Sequence, residues 1–379
     1  MIAAGSPISA APTRVVPAAL PFSAEWTHSY DGSAPVAAAV SDAGFLIAGF
    51  ADRIDAISLT SGIIDWSLPL PAPRLACEGT LCVAGDNGTI RGIDVVRKAV
   101  RWQRPTPGPL AFAPTLRSGW IFLTVTDGRV IALRETDGAT LWTFSADSAL
   151  TGPPSVDGDR VAVATANSTV SLLDLRTGQA LWTTVPLAGL PGAPRLGGGM
   201  VCVGMENREL AFIDAAKGKL RFSVRTGGIV MGAPALDDRL VYGAGQDGVL
   251  RAYDRGSGAL RWYADLPTRP AGVGPVTDAG LTIIALRTGE FRAYLASGDG
   301  KVTAAVIAPP GAGDSTVLLP APPMIAGTGA SMRMVTLSSS VGDESKWSAT
   351  VTRAGAGLAV SALPATIPGL ALTLTAPQR

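Results

Sequence analysis

Histidine is all but missing from this chain of 379 residues; His28 is the single copy. A zinc centre built on several imidazoles, or a Ser-His-Asp triad, would have to be assembled around that one side chain. His28 lies two positions after Trp26 in a strand-like stretch and reads as an edge or surface residue. Cysteine is scarce too, with three copies and no Cys-x-x-Cys-His haem-attachment run. Charged residues make up only 16% of the chain and the net charge is +1. That removes any general electrostatic attraction to nucleic acid or anionic lipid. The densest basic group, Arg97, Lys98, Arg101 and Arg104, has no aromatic stacking platform beside it and reads as a solvated edge. No run of about 18 apolar residues occurs, so no transmembrane helix is expected. A glycine-rich phosphate loop between a strand and a helix is also missing, because clusters such as Leu196-Gly-Gly-Gly199 read as hairpin turns.

What the chain has in quantity is glycine, 45 copies, and hydrophobic residues at 47%, which describes an ordered, turn-rich β protein. Its aromatics, only 6%, fall on a beat. Trp26, Trp66, Trp102, Trp142, Trp182, Phe222 and Trp262 follow one another at steps of 40, except for 36 between Trp66 and Trp102. A period near 40 indicates propeller blades or helical arrays. Residues 153–185 decide between them. Pro154-Ser-Val156, Arg160 to Ala164, Thr169 to Asp174 and Ala180 to Val185 are short β-rich runs separated by turn residues, with no helical periodicity. Between the second and third runs lie Asp86-Asn-Gly88, Asp127-Gly128, Asn167-Ser168, Glu206-Asn207 and Asp247-Gly248, which suit two-residue hairpin turns. They lack the spaced acidic array of a Ca²⁺ loop, so no metal is expected.

The fourth run carries the most specific pattern, Ala-x-Asp-x-x-Thr-Gly-x-x-x-Trp. Ala252, Asp254, Ser257, Gly258 and Trp262 match it closely, and so do Leu172, Asp174, Thr177, Gly178 and Trp182. The unit ending at Trp66 has Ser58 for the Asp, and the unit ending at Trp102 has Lys98 for the Gly. Ala132 to Trp142 and Phe212 to Phe222 keep the frame. Glycine permits the unusual backbone of the turn, Asp can accept from amides across it, and the aromatic can wedge between neighbouring blades. Trp66, Trp102, Trp142, Trp182, Phe222 and Trp262 are therefore read as blade-docking residues.

This element resembles the tryptophan-docking motif of the pyrroloquinoline-quinone (PQQ) repeat family, the quinoprotein alcohol dehydrogenase-like propellers. The resemblance runs from about Trp26 to Leu295 and recurs six times in register. It implies an all-β propeller of four-stranded antiparallel blades, commonly eight. It implies either a quinone-dependent dehydrogenase or a non-catalytic propeller such as the lipoprotein of the outer-membrane β-barrel assembly machinery. The enzymes carry Ca²⁺, a catalytic Asp, a Trp beneath the quinone and often a disulfide of adjacent cysteines. Here no two cysteines are adjacent, and only Trp120 and Trp347 stand outside the docking positions.

Seven units end at residues 66, 102, 142, 182, 222, 262 and about 302, the last with Val302 in the aromatic's place. Met324-Ile325, Met332 to Leu337, Trp347 to Thr352 and Leu358 to Leu363 supply an irregular eighth, which the strand around Trp26 would complete. Eight blades is the expected count and seven the competitor. The expected organisation is a flexible segment 1–19, one propeller domain over 20–365 and a tail 366–379. Cys77 and Cys82 flank a hairpin turn and can form a disulfide or pack as two thiols; Cys202 reads as a buried thiol. The Ala-, Pro- and Ser-rich start shows no intact export signal, so the chain is either cytosolic or a mature exported form, and the cysteine pair favours the second.

The function expected is that of a non-catalytic extracytoplasmic scaffold binding protein partners in an envelope complex, periplasmic, with no cofactor, no nucleic acid and no membrane span. The alternatives are a PQQ-dependent enzyme and a propeller that binds a small ligand or glycan in its channel. Segments 308–316 and 320–329 interrupt the repeat and are the candidate binding loops.

Overall fold

A computed structural model describes residues 13–14, 22–86, 88–230, 232–272, 274–278, 281–287, 290–296, 302–307, 317–318, 324–326, 333–340 and 343–354. These residues form eight β-sheets in ring order, an eight-bladed propeller with no helix among them. Blades 1 to 7 span Ala37–Leu68, Arg74–Pro105, Thr115–Ser145, Ser155–Thr183, Arg195–Arg225, Ala235–Asp265 and Val276–Ile307, each an antiparallel meander of four strands. Blade 8 is assembled from both ends of the chain. Strand Phe22–Asp31 pairs antiparallel with Asp343–Ala354, which pairs with Arg333–Ser340, and that strand with the short pieces Val317–Leu318 and Met324–Ala326. Leu358 to Leu363 lies outside the described residues. Thr13–Arg14 adds a short parallel strand to the outer edge of blade 6, opposite Trp262 and Tyr263.

The second and third strands of a blade lie between two neighbouring sheets, so both of their faces are buried. Leu81–Gly85 and Met200–Met205 are buried at every position. Such strands read as continuous apolar runs instead of alternating ones. The outer strand is covered on one side only and alternates, as in Ala99–Pro105, where Trp102 alone is buried. The core is accordingly distributed over the seams between blades. Leu123 and Ile131 of blade 3 pack with Val83 and Ile90 of blade 2, and Phe122 and Val130 of blade 3 pack with Val161 and Val163 of blade 4.

The four residues missing between Trp66 and Trp102 are absent from an inter-blade connection: 69–73 joins blades 1 and 2, where 106–114 and 146–154 join the next pairs. In blade 2 the turn between second and third strands keeps the two-residue form expected, with Asp86 N–H donating to Thr89 O, but in blades 3 to 6 it differs. Gly128 N–H donates to Val125 O, and Val125 N–H donates to Arg129 O. The loop is thus a three-residue one with a left-handed residue at its third place, and the same bonds recur at Thr165–Thr169 and Gly245–Val249. The left-handed residues are Gly128, Ser168, Arg208 and Gly248, so Asn167 and Asn207 do not carry the positive φ themselves.

Candidate functional site

At every aromatic beat the outer strand contains a β-bulge. Trp142 pairs with Ala132 while Thr140 pairs with Leu133, so Leu141 has no opposite number. The same one-residue slip falls on Asp65, Arg101, Leu181, Arg221 and Arg261, and in blade 8 on Glu25, just before Trp26. Blade 7, which has Val302 where the aromatic should be, pairs without a slip. A bulge increases local twist and re-aims the next side chain. Here it turns the aromatic toward the following blade.

The receiving surface is the glycine turn of that blade. Gly138, Gly178, Gly218 and Gly258 have φ of 69°, 70°, 65° and 72°. A Cβ on Gly138 or Gly218 would fall 2.6 Å from the ring of Trp102 or Trp182, and one on Gly178 would overlap Trp142. The indole then donates its Nε1–H to a backbone carbonyl of the turn: Trp26 to Leu59, Trp102 to Glu135, Trp142 to Leu175 and Trp182 to Ala215, at 2.7–2.8 Å. Phe222 has no N–H to give and meets Gly258 by ring contact alone. Trp66 is the exception that the sequence explains. Its receiving turn carries Lys98, in the left-handed conformation at φ 57°, and Trp66 Nε1 is buried without a partner. A Cβ occupies the volume the indole takes elsewhere, and Lys98 instead forms an ion pair with Asp65 at 2.9 Å. Trp262 Nε1 likewise has no partner among the described residues.

The turn carboxylates are engaged within their own turns. Asp174 Oδ1 accepts from the amides of Arg176 and Thr177 and from the Thr177 hydroxyl. Asp214 and Asp254 accept from two amides each and hold Arg221 and Arg261 with Oδ2. The Arg261 guanidinium, aided by Ser257, holds the Asp254 carboxyl down at about 2. On the opposite face Asp86, Asp127 and Asp247 pair with Arg91, Arg129 and Arg251. Among the described residues no group of three or more His, Cys, Asp or Glu is placed to hold a metal ion.

Cys77 and Cys82 face each other across the first hairpin of blade 2 and are joined as a disulfide; both are buried. Cys202 is a buried thiol, pushed by burial up to about 12. His28 is exposed, with its ring against Gly62 and 5.4 Å from that of Trp26. In the basic group Lys98 pairs with Asp65 and Arg97 with Asp94. Trp347 is buried and stacks on Tyr30 at 4.4 Å, and Trp120 stacks on Phe122. Segments 308–316 and 320–329 lie outside the described residues apart from Met324–Ala326.

The innermost strands border a central cavity of about 720 Å³, reached by blades 3 to 7. One part is lined by a repeated small-residue element, Gly152-Pro-Pro154, Gly192-Ala-Pro194 and Gly232-Ala-Pro234. Its glycines permit close approach, since a Cβ on Gly152 would overlap Ala193. Side chains also cross between inner strands: Gly79 N–H donates to Asp42, Ser118 N–H to Glu78 and Leu196 N–H to Ser155. These bonds occupy amides that the innermost edge would otherwise leave open. Sequence reading passed over the charged members of this lining, Arg117, Arg195 and Arg255 together with Asp157, Asp237 and Asp238. The one signal for them is an arginine, Arg195, one residue short of the triple glycine Gly197–Gly199, with Leu196 between.

Aromatic docking on glycine turns, repeated around a closed ring, defines a β-propeller of the PQQ-like repeat class. A family model described as outer membrane protein assembly factor BamB matches residues 51–189 and 166–328, and the chain belongs to that family. No curated protein matches it by sequence. Among solved structures it is similar to BamB from Moraxella catarrhalis, with a TM-score of 0.62 and 16% identity over 88% of this chain and 99% of that one. It is similar to Sqt1 from Saccharomyces cerevisiae, with a TM-score of 0.66 and 14% identity over 85% and 97%. The computationally designed protein Ika8 gives a TM-score of 0.58 and 17% identity over 70% and 81%. At these identities the likeness is one of fold.

Proposed function

We propose that this chain is a non-catalytic, extracytoplasmic propeller scaffold that holds a protein partner within an envelope complex. The observation that carries the reading is how its polar groups are used. Docking tryptophans close the seams, and the turn carboxylates are engaged within their own turns, Asp174 by amides and the Thr177 hydroxyl and Asp214 and Asp254 by amides and arginines. What is left over is two rigid faces of loops, the usual place for interaction residues. Membership of the BamB-type family supports the envelope assignment. The longest connection between blades 1 to 7, residues 184–194, adds an apolar contact point, because Val185 stands 81% exposed there.

The test is capture from solubilised envelope fractions with the tagged chain and with Val185→Asp. A partner that is retained by the parent through stringent washing, found again by reciprocal capture, and weakened by the substitution is the expected result. In parallel, PQQ and Ca²⁺ are added to purified protein, with visible absorption and thermal midpoint as readouts. Tight uptake of the quinone, or a chain found only in the cytosolic fraction, would refute the proposal.

A further inference from the structure

Thr115, Ser155, Arg195 and Ala235 occupy the same place in blades 3 to 6, each paired with the third residue of the second strand: Phe122, Ala162, Cys202 and Tyr242. Three of the four are small. The Arg195 guanidinium lies in the lining of the central cavity; its Nε is buried and meets no acceptor, and the residue makes no ion pair among the described residues. Burial disfavours its charge and the nearby Arg117 disfavours it further, while Asp157 works the other way. An arginine cannot relieve such a situation by giving up its proton. A partly buried guanidinium whose Nε–H has no acceptor is costly, and an anion that accepts from it lowers the cost.

The cavity of about 720 Å³ leaves room for one. Where blades 3, 4 and 6 place Arg117, Asp157 and Asp237 at the end of the inner strand, blade 5 has Gly197, on which Leu236 packs, followed by Gly198 and Gly199. Arg255 lies directly on Gly198, with its Nη1 donating to the Asp237 carbonyl at 3.1 Å. The Asp237 carboxylate is held by neutral donors, the Tyr242 hydroxyl at 2.6 Å and the amides of Arg239 and Leu240, and Asp238 also lines the cavity. Asp157 is exposed at its turn.

We propose that Arg195, with Arg117 also in the lining, forms an oxyanion site in the central channel suited to a small ligand bearing a carboxylate or phosphate. A guanidinium offers two parallel N–H donors to such a group, which fixes its orientation as well as its charge. The site is independent of any partner bound on the faces.

The test uses the whole chain labelled with ¹⁵N-arginine, so that each Nε–H gives its own signal. Sodium phosphate and sodium succinate are titrated separately against sodium chloride at matched ionic strength. The Arg195 signal, assigned by its loss in Arg195→Gln, should move saturably with at least one of the two. The signal of Arg134, ion-paired to Asp137 on an outer turn, should follow chloride. Calorimetry should show binding at least tenfold weaker in Arg195→Gln. A response to phosphate alone marks a phosphoryl ligand, and a response to succinate marks a carboxylate. If neither anion gives a saturable shift, or binding survives in Arg195→Gln, the site does not exist. Should Arg195→Gln fail to fold, Arg195→Lys supplies the assignment and the same affinity comparison.

Discussion

The docking seam between blades 3 and 4 allows its two components to be measured apart. Trp142 is 8% exposed, lies on Gly178, and donates to Leu175 O at 2.7 Å. Truncating a buried Trp to Ala costs about 3–5 kcal/mol, a figure that includes most of the lost hydrogen bond. Gly178→Ala carries two separate penalties. Holding an alanine at φ 70° costs about 1–2 kcal/mol, and forcing its Cβ into the indole costs about 1–3 kcal/mol more. Only the second depends on Trp142. The double variant Trp142→Ala, Gly178→Ala should therefore be less destabilised than the sum of the singles by about 1–3 kcal/mol. Gly158→Ala is the internal control, because Gly158 has φ 55° and nothing within 4 Å of its Cβ position. It should cost about 1–2 kcal/mol, the backbone penalty alone. Urea unfolding followed by far-UV circular dichroism gives the four free energies, provided the slope m is unchanged across the set. A coupling below about 0.5 kcal/mol would mean that the indole and the turn do not bear on each other, and the docking account of the repeat would fall.

Three further outcomes follow from the disulfide and the buried tyrosines. Removing the Cys77–Cys82 crosslink with reductant, or as the double alanine variant, should lower stability by about 2 kcal/mol, the chain-entropy value for so short a loop, with blade 2 still folded by circular dichroism. Burial pushes Tyr30, Tyr253 and Tyr294 up to about 12. Their contribution is complete below pH 10, where unfolded tyrosine stays protonated, and is lost as pH climbs from 10 to 12, so the thermal midpoint should fall across that window. Tyr294→Phe removes a buried hydroxyl that has no partner among the described residues; it should raise neutral stability by about 1 kcal/mol and flatten the alkaline fall.

The period of the fold was legible because the docking device needs chemistry that few residue types supply. A left-handed turn wants glycine, an amide cap wants Asp, and a wedge wants an aromatic, so Asp174, Gly178 and Trp142 announce themselves in the sequence. Ser58 shows the limits of that reading: it takes the Asp position and still accepts from Thr60 and Ser61, a substitution by function and not by type. The bulges were not legible. The bulged positions are leucine at 141 and 181, arginine at 101, 221 and 261, and an acid at Asp65 and Glu25, with no type common to all, since a bulged position is defined by backbone pairing and its side chain faces solvent. The absent bulge in blade 7 could be read only through its missing aromatic. The three-residue turns escaped notice because Ser168 and Arg208 adopt φ 65° and 63° without being residues that favour it. The cavity arginines went unremarked because they come from separate blades and converge only when the ring forms.

The way blade 8 is built also sets the order of events during synthesis. Phe22 pairs with Ala354 and Asp31 with Lys346, so the first strand of this blade finds its partner only after more than three hundred residues have followed. At a ribosomal rate of about 5–20 residues per second, that wait is on the order of 15–65 s. Closing so long a loop costs little extra free energy, because the entropy grows only with the logarithm of length, but it is slow. Through that interval Trp26 and Tyr30 have neither Leu59 nor Trp347 correctly placed against them, and a ten-residue strand has an open edge. The arrival of Trp347 against Tyr30 then closes the ring.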